Sequence, residues 1–142
     1  MGARTAPRAP STGPRVSMVL TDSNILIYAT QPEHATLRHW LLDTLPSVSV
    51  ISRVEILGYH KLQKIERAAL TELLDSLELV YLPPACYEIA IQLRQRQKLT
   101  LGDALIAATC LEYSYTLACR NIAFLPNFSS SIFGVLKVCT TY

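Results

Sequence analysis

Apolar runs of strand length alternate with helix-patterned segments along most of this chain. Met18 to Thr21, Val48 to Ile51, Leu79 to Leu82, Tyr115 to Cys119 and Val135 to Thr140 each read as a strand. Between the first two lie a short helix, Asn24 to Ala29, opened by Ser23, and a longer one. The longer helix starts at Pro32-Glu33, carries Leu37, Trp40, Leu41 and Leu45 at helical spacing, and stops at Pro46. After the second strand, Ser52 predicts a cap for a helix running to about Tyr59, and Leu70, Leu73, Leu74 and Leu77 stripe the next. Pro83-Pro84 leads into a helix facing Cys86, Ile89, Ala90 and Leu93, and the alanine-rich Asp103 to Tyr113 supplies the last. Strands separated by helices form βαβ units, whose crossovers make neighbouring strands parallel and cover both sheet faces. The pattern therefore predicts an α/β fold with a mainly parallel central sheet of about five strands between two helical layers.

With 142 residues, half of them hydrophobic, the chain suits one domain with a proper core and excludes an intrinsically disordered polymer. No apolar run approaches the roughly 20 residues that span a bilayer, so no membrane role is expected. Residues 1–17 differ in kind: Pro7, Pro10, Pro14, Gly2 and Gly13 accompany Arg4, Arg8 and Arg15, with no acid. They read as a disordered N-terminal extension, with Met18 as the expected working start and residues 18–142 as the domain. Three of the thirteen Lys and Arg lie in that tail, leaving ten against eleven acids in the remainder. Nucleic-acid contact must then come from a local patch rather than from bulk charge. Cys86, Cys110, Cys119 and Cys139 form no CxxC pair, which argues against zinc and fits reduced, buried thiols in a cytoplasmic protein.

Ligands of such sheets bind beyond the carboxyl ends of the strands. Asp22 follows the first strand, Glu55 lies just after the second, and Asp103 opens the alanine-rich helix. Carboxylates gathered in one crevice repel one another unless a cation resolves the conflict. Mg²⁺ or Mn²⁺ suits such oxygen donors, and metal-assisted phosphodiester hydrolysis is the chemistry they favour. Each acid also has a purely structural reading. Ser52-x-x-Glu55 and Thr100-x-x-Asp103 have the form of capping boxes, and Asp22 can cap the helix that follows it. Only their joint placement on one sheet edge points to chemistry.

Three blocks carry a resemblance: Leu20-Thr21-Asp22-Ser23-Asn24-Ile25-Leu26-Ile27, Ser52-Arg53-Val54-Glu55-Ile56-Leu57-Gly58 and Leu101-Gly102-Asp103-Ala104-Leu105-Ile106-Ala107-Ala108-Thr109. In this order they resemble the signature blocks of PIN-domain proteins, and most of all the VapC-type toxins of bacterial toxin–antitoxin pairs. The resemblance runs from Met18 to about Val138. It implies a three-layer α/β/α PIN fold, a Mg²⁺- or Mn²⁺-dependent ribonuclease acting on single-stranded or loop RNA, a homodimer, and inhibition by a cognate antitoxin protein. It also implies that Asp22, Glu55 and Asp103 are the catalytic and metal-binding acids, and that Ser23, standing where the family usually has threonine, binds substrate. Cys119-Arg120-Asn121 is similar to the family's Thr-Arg-Asn block, which makes Arg120 a substrate-binding and Asn121 a catalytic candidate. The family's further aspartate is absent, because Asn121 and Phe124 occupy its two usual places.

That departure keeps a second reading open, a catalytically impaired PIN domain that binds RNA or protein without cutting. Phosphotransfer on Asp22 fits less well, since Asp22-Ser23-Asn24 lacks the Asp-x-Asp of the phosphatases that use it. Arg94 and Lys98 share a helix face near the expected site, but a solvated face explains them more simply than RNA binding does. Tyr87, Tyr113 and Tyr115 have a core or rim role as their plain reading. Trp40, Leu41 and Leu45 divide evenly between core packing and a protein interface. His34, His39 and His60 accompany no nucleophile motif.

Overall fold

The computed structural model describes residues 18–119 and 137–140. The chain begins with strand β1 (Val19–Thr21), helix α1 (Ser23–Ala29), a 3₁₀ turn (Pro32–His34) and helix α2 (Ala35–Thr44). Strand β2 (Ser47–Ser49) runs straight into α3 (Val50–Leu57), followed by α4 (Lys64–Asp75), β3 (Leu79–Val80) and α5 (Pro84–Arg96). Helix α6 (Leu101–Tyr113), β4 (Thr116–Cys119) and β5 (Lys137–Thr140) complete the order. The five strands form one sheet in the order β3-β2-β1-β4-β5, and every pairing is parallel.

Side chains alternate across a strand, and here the alternation divides the core in two. Leu20 and Leu117 face a cluster with Cys86, Ala90 and Leu93 of α5 and Ala104, Ala107 and Ala108 of α6. The neighbouring Ala118 and Val48 face the opposite cluster, with Ile25, Leu26 and Ala29 of α1, Leu37 and Leu41 of α2, Ile56 of α3 and Leu70 and Leu74 of α4. This is the expected three-layer α/β/α sandwich. The alanines of α6 are fully buried, and their small size lets that helix lie close to the sheet. Cys86, Cys110 and Cys119 are buried, as their apolar settings predict.

Several boundaries differ from the sequence reading. The second strand is Ser47–Ser49 rather than Val48 to Ile51, because the two serines fit buried sheet positions and the chain turns helical at Val50. Ser49, not Ser52, caps α3, its hydroxyl accepting the Ile51 amide at 3.1 Å. Ser52 lies inside the helix with its buried hydroxyl unpartnered. Helix α2 ends with Leu45 in the left-handed region at φ 46°, so Leu45 leaves the helical stripe and stands exposed. Helix α6 starts at Leu101, two residues before Asp103, with Thr100 as its cap. Among the described residues no helix is long and apolar enough to cross a membrane. The N-terminal extension at 1–17 lies outside the described residues.

Candidate active site

The sheet order reverses direction at β1: the chain builds outward to β2 and β3 on one side, then returns to β4 and β5 on the other. A crevice forms at such a switch point, beyond the strand ends. Asp22 is the first residue after β1 and sits there. Its backbone amide donates to the Ala118 carbonyl of β4 at 3.1 Å, and its Oδ1 accepts the Ile25 amide at 3.0 Å as the cap of α1. One carboxylate oxygen is thus committed to the helix start, so the capping reading of Asp22 holds alongside any chemical role.

Glu55 arrives from α3. Because Ser49 caps that helix, Glu55 is well past its first turn and is no capping-box acid. Its Oε1 accepts the Ser23 hydroxyl at 2.8 Å. Its other oxygen lies against Gly102 of α6, where a side chain would collide with it. Asp103, the next residue, is held by the Thr100 cap, whose hydroxyl accepts the Asp103 amide at 3.1 Å. Arg94 steadies this turn by donating from Nε to the Leu99 carbonyl at 3.2 Å.

Asp22, Glu55 and Asp103 line one pocket of about 220 Å³ together with Ser23, Asn24, Ile27, Ile56 and Ile106. Every charged residue of that lining is an acid. Burial is the main force raising the Asp22 carboxyl from 3.8 to about 6, with the charges of Asp103 and Glu55 adding to it and the Ile25 amide opposing it. The structure therefore brings together four of the residues singled out in the sequence: Asp22, Ser23, Glu55 and Asp103. Arg120, Asn121 and Phe124 lie outside the described residues. Arg94 and Lys98 do not line the pocket, and Tyr115 is a core residue. The sequence reading missed the seat that Gly102 provides and the walls made by Ile27 and Ile106. The signal for Gly102 was a glycine in the first turn of a helix, directly before an acid.

Among the described residues, no three His, Cys, Asp or Glu side chains form a ready cage for an ion. Asp22 and Glu55 each give one oxygen to a protein donor, so the pocket offers separate carboxylate oxygens rather than a closed shell. Such an open set suits Mg²⁺ or Mn²⁺, which is typically held by one or two carboxylates with water and phosphate oxygens completing the shell. The charges of Asp103 and Glu55 add to the upward shift that burial gives Asp22, and a divalent cation would offset both contributions. A roomier cavity of about 640 Å³, lined by Arg38, Leu41, Leu42, Glu72 and Leu73 among others, contains none of the three acids. Volume alone is a poor guide to the chemistry here.

Residues 19–124 match the family model described as PIN domain. The chain belongs to the PIN domain family. Members of this family are generally nucleases, which supports a hydrolase role. This PIN domain is also similar in fold to chains of several solved complexes. One is VapBC2 from Rickettsia felis bound to a DNA fragment from their promoter, with TM-score 0.68 and 20% identity over 85% of this chain and 98% of that one. A toxin–antitoxin complex from Klebsiella pneumoniae gives TM-score 0.66 at 24% identity, covering 87% of this chain and 98% of the other. DNA-bound VapBC from Salmonella typhimurium gives 0.74 at 13% identity, covering 89% and 100%. At these identities the likeness concerns the fold. A comparison with curated proteins finds no match.

Proposed function

We propose that this PIN domain is a divalent-metal-dependent endoribonuclease acting on single-stranded or loop RNA, and the toxin of a toxin–antitoxin pair. The observation that carries the proposal is the meeting of Asp22, Glu55 and Asp103 in one pocket without a basic residue in its lining. Asp22 and Asp103 hold Mg²⁺ or Mn²⁺, with Glu55 as a further ligand or a positioner of water. A cation held there would supply Lewis acidity toward water and toward the charge developing on the phosphate and leaving oxygen. Ser23 fixes the Glu55 carboxylate, and its hydroxyl oxygen remains an acceptor toward water. Gly102 keeps the space that carboxylate needs. Asn121 and Arg120 complete the site in this reading, Asn121 as an uncharged oxygen donor and Arg120 as a phosphate contact. Single-stranded and looped RNA expose their backbone to a crevice of this kind.

The antitoxin and a second copy of the chain are the proposed protein partners, and the cytoplasm the proposed compartment. The solved relatives described as toxin–antitoxin complexes support the first. So does the largely apolar cavity beside α2, one of whose lining residues, Leu42, is 67% exposed. The test is incubation of highly purified chain with unstructured RNA and Mn²⁺. Cleavage that Asp22→Asn and Asp103→Asn abolish supports the site; cleavage that survives them removes it. Phe124 and Asn121, in place of the family's further aspartate, favour the second reading, a PIN domain that binds without cutting. RNA binding with no turnover in Mg²⁺ or Mn²⁺ establishes that one.

A further inference from the structure

A second cavity, of about 250 Å³, opens beside the acid pocket and shares Ile27, Glu55 and Ile56 with it. Its other walls include Tyr59, Gln31 and Glu66, over an apolar floor made by residues such as Leu70. We infer that this cavity is a nucleobase subsite, selective for guanine, that seats the base next to the scissile phosphate. The inference rests on the nuclease reading of the acid pocket.

Continuity comes first. Glu55 and Ile56 form a wall common to both cavities, so a nucleotide whose phosphate faces the acids has its base within reach of the second cavity. The surface chemistry comes next. Tyr59 is 52% exposed, and His60 meets its ring edge-on at 61° with centroids 5.3 Å apart, rather than covering it in a parallel stack. An aromatic rim over an aliphatic floor is the environment in which proteins stack an unpaired base.

Charge then separates base from backbone. The charged residues of this lining are Glu55 and Glu66, both acids, which repel phosphate and accept hydrogen bonds. Glu66 is held in place because its Oε1 accepts the Gln63 amide at 3.1 Å at the start of α4. A carboxylate has about four lone-pair sites, so it can accept further donors. Guanine presents two parallel donors, N1–H and N2–H, which match the two oxygens of one carboxylate. Adenine and cytosine each offer a single amino group on that edge. Uracil offers one N–H flanked by two carbonyl oxygens, which an acidic wall repels.

The experiment titrates guanosine, adenosine, cytidine and uridine into the full chain in EDTA, followed by NMR shifts. These nucleosides carry no phosphate and need no metal. Guanosine is expected to bind at least about tenfold tighter than uridine and to move Tyr59 and Ile27 resonances. Tyr59→Ala is expected to weaken guanosine about tenfold, the scale of a lost aromatic stack. Glu66→Gln keeps a side chain suited to the capping box, so the fold should survive while the guanosine preference collapses. Equal binding of all four nucleosides overturns the inference. So do shifts that map away from Tyr59, absence of binding at millimolar guanosine, or a Tyr59→Ala chain that keeps its melting curve and its affinity. RNA cleavage without guanosine binding removes the subsite alone, whereas guanosine binding without any cleavage removes the nuclease reading and leaves a nucleoside site.

Discussion

The Glu55 carboxylate rests against the Cα of Gly102, in space that any side chain at position 102 would occupy. Helix α6 thereby approaches α3 closely enough to put Asp103 and Glu55 on one pocket. Alanine is a better helix former than glycine by up to about 1 kcal/mol, so Gly102→Ala should leave stability unchanged or raise it. The same methyl group must push Glu55 out of place. The expected outcome is an unchanged or higher melting temperature with RNA cleavage reduced about tenfold, an amount that corresponds to about 1.4 kcal/mol. A thermal melt and a cleavage rate measured on one preparation separate the two effects.

Ser23 and Glu55 are 32 positions apart in the chain and joined at 2.8 Å. Ser23→Ala removes this bond at an exposed site, so its stability cost should stay below about 1 kcal/mol. Its effect on cleavage should be larger, severalfold, because Glu55 loses its anchor. Ser23→Thr keeps the hydroxyl and should restore the rate. Equal loss in both variants assigns the effect to bulk rather than to the hydrogen bond.

Asp22 makes stability depend on pH in a defined direction. Its carboxyl titrates at about 6 in the fold against 3.8 ordinarily, so between those values the native state binds more protons than the unfolded chain. The contribution of this group is fully present below pH 3.8 and is lost as pH rises through about 6. Asp22→Asn keeps a capping side chain and removes the buried charge. In EDTA the variant should melt higher than the parent at pH 7 and lose the Asp22-dependent part of the pH profile. Mg²⁺ should raise the melting temperature of the parent at pH 7 and leave the variant nearly unchanged.

Ser49 and Ser52 trade the roles that local sequence suggests. Ser49→Ala removes the cap of α3 and should cost about 1 kcal/mol, or about 4 °C of melting temperature. Ser52→Ala removes a buried hydroxyl that has no partner and should be neutral or stabilising. Urea melts of the two variants in parallel decide between this assignment and a Ser52 cap.

The serines show where reading from sequence alone reaches its limit. Ser-x-x-Glu is a valid helix start by composition, but Ser52-Arg53-Val54-Glu55 lies one turn inside α3. The parallel pairing of Thr21 with Val48 and of Ser49 with Val80 fixes where β2 stops, and no neighbour within the segment encodes that pairing. The same holds for Leu45, whose apolar character suits the stripe of α2 until the left-handed turn carries it out to solvent. Thr100 before Asp103 was legible because a cap and the amide that donates to it are three residues apart.

Local order alone sets the alternation of strands and helices, the caps at Asp22 and Thr100, and the positions of Asp22 just after a strand and Asp103 at a helix start. These depend on residues within a turn or two of one another, and periodicity records them. Strand order and the contacts across the sheet top belong to the tertiary structure. It places β1 between β2 and β4, ties Asp22 to Ala118, and lets Ser23 reach Glu55. Burial and two neighbouring charges then lift the Asp22 carboxyl, an effect that exists only once distant segments share one crevice.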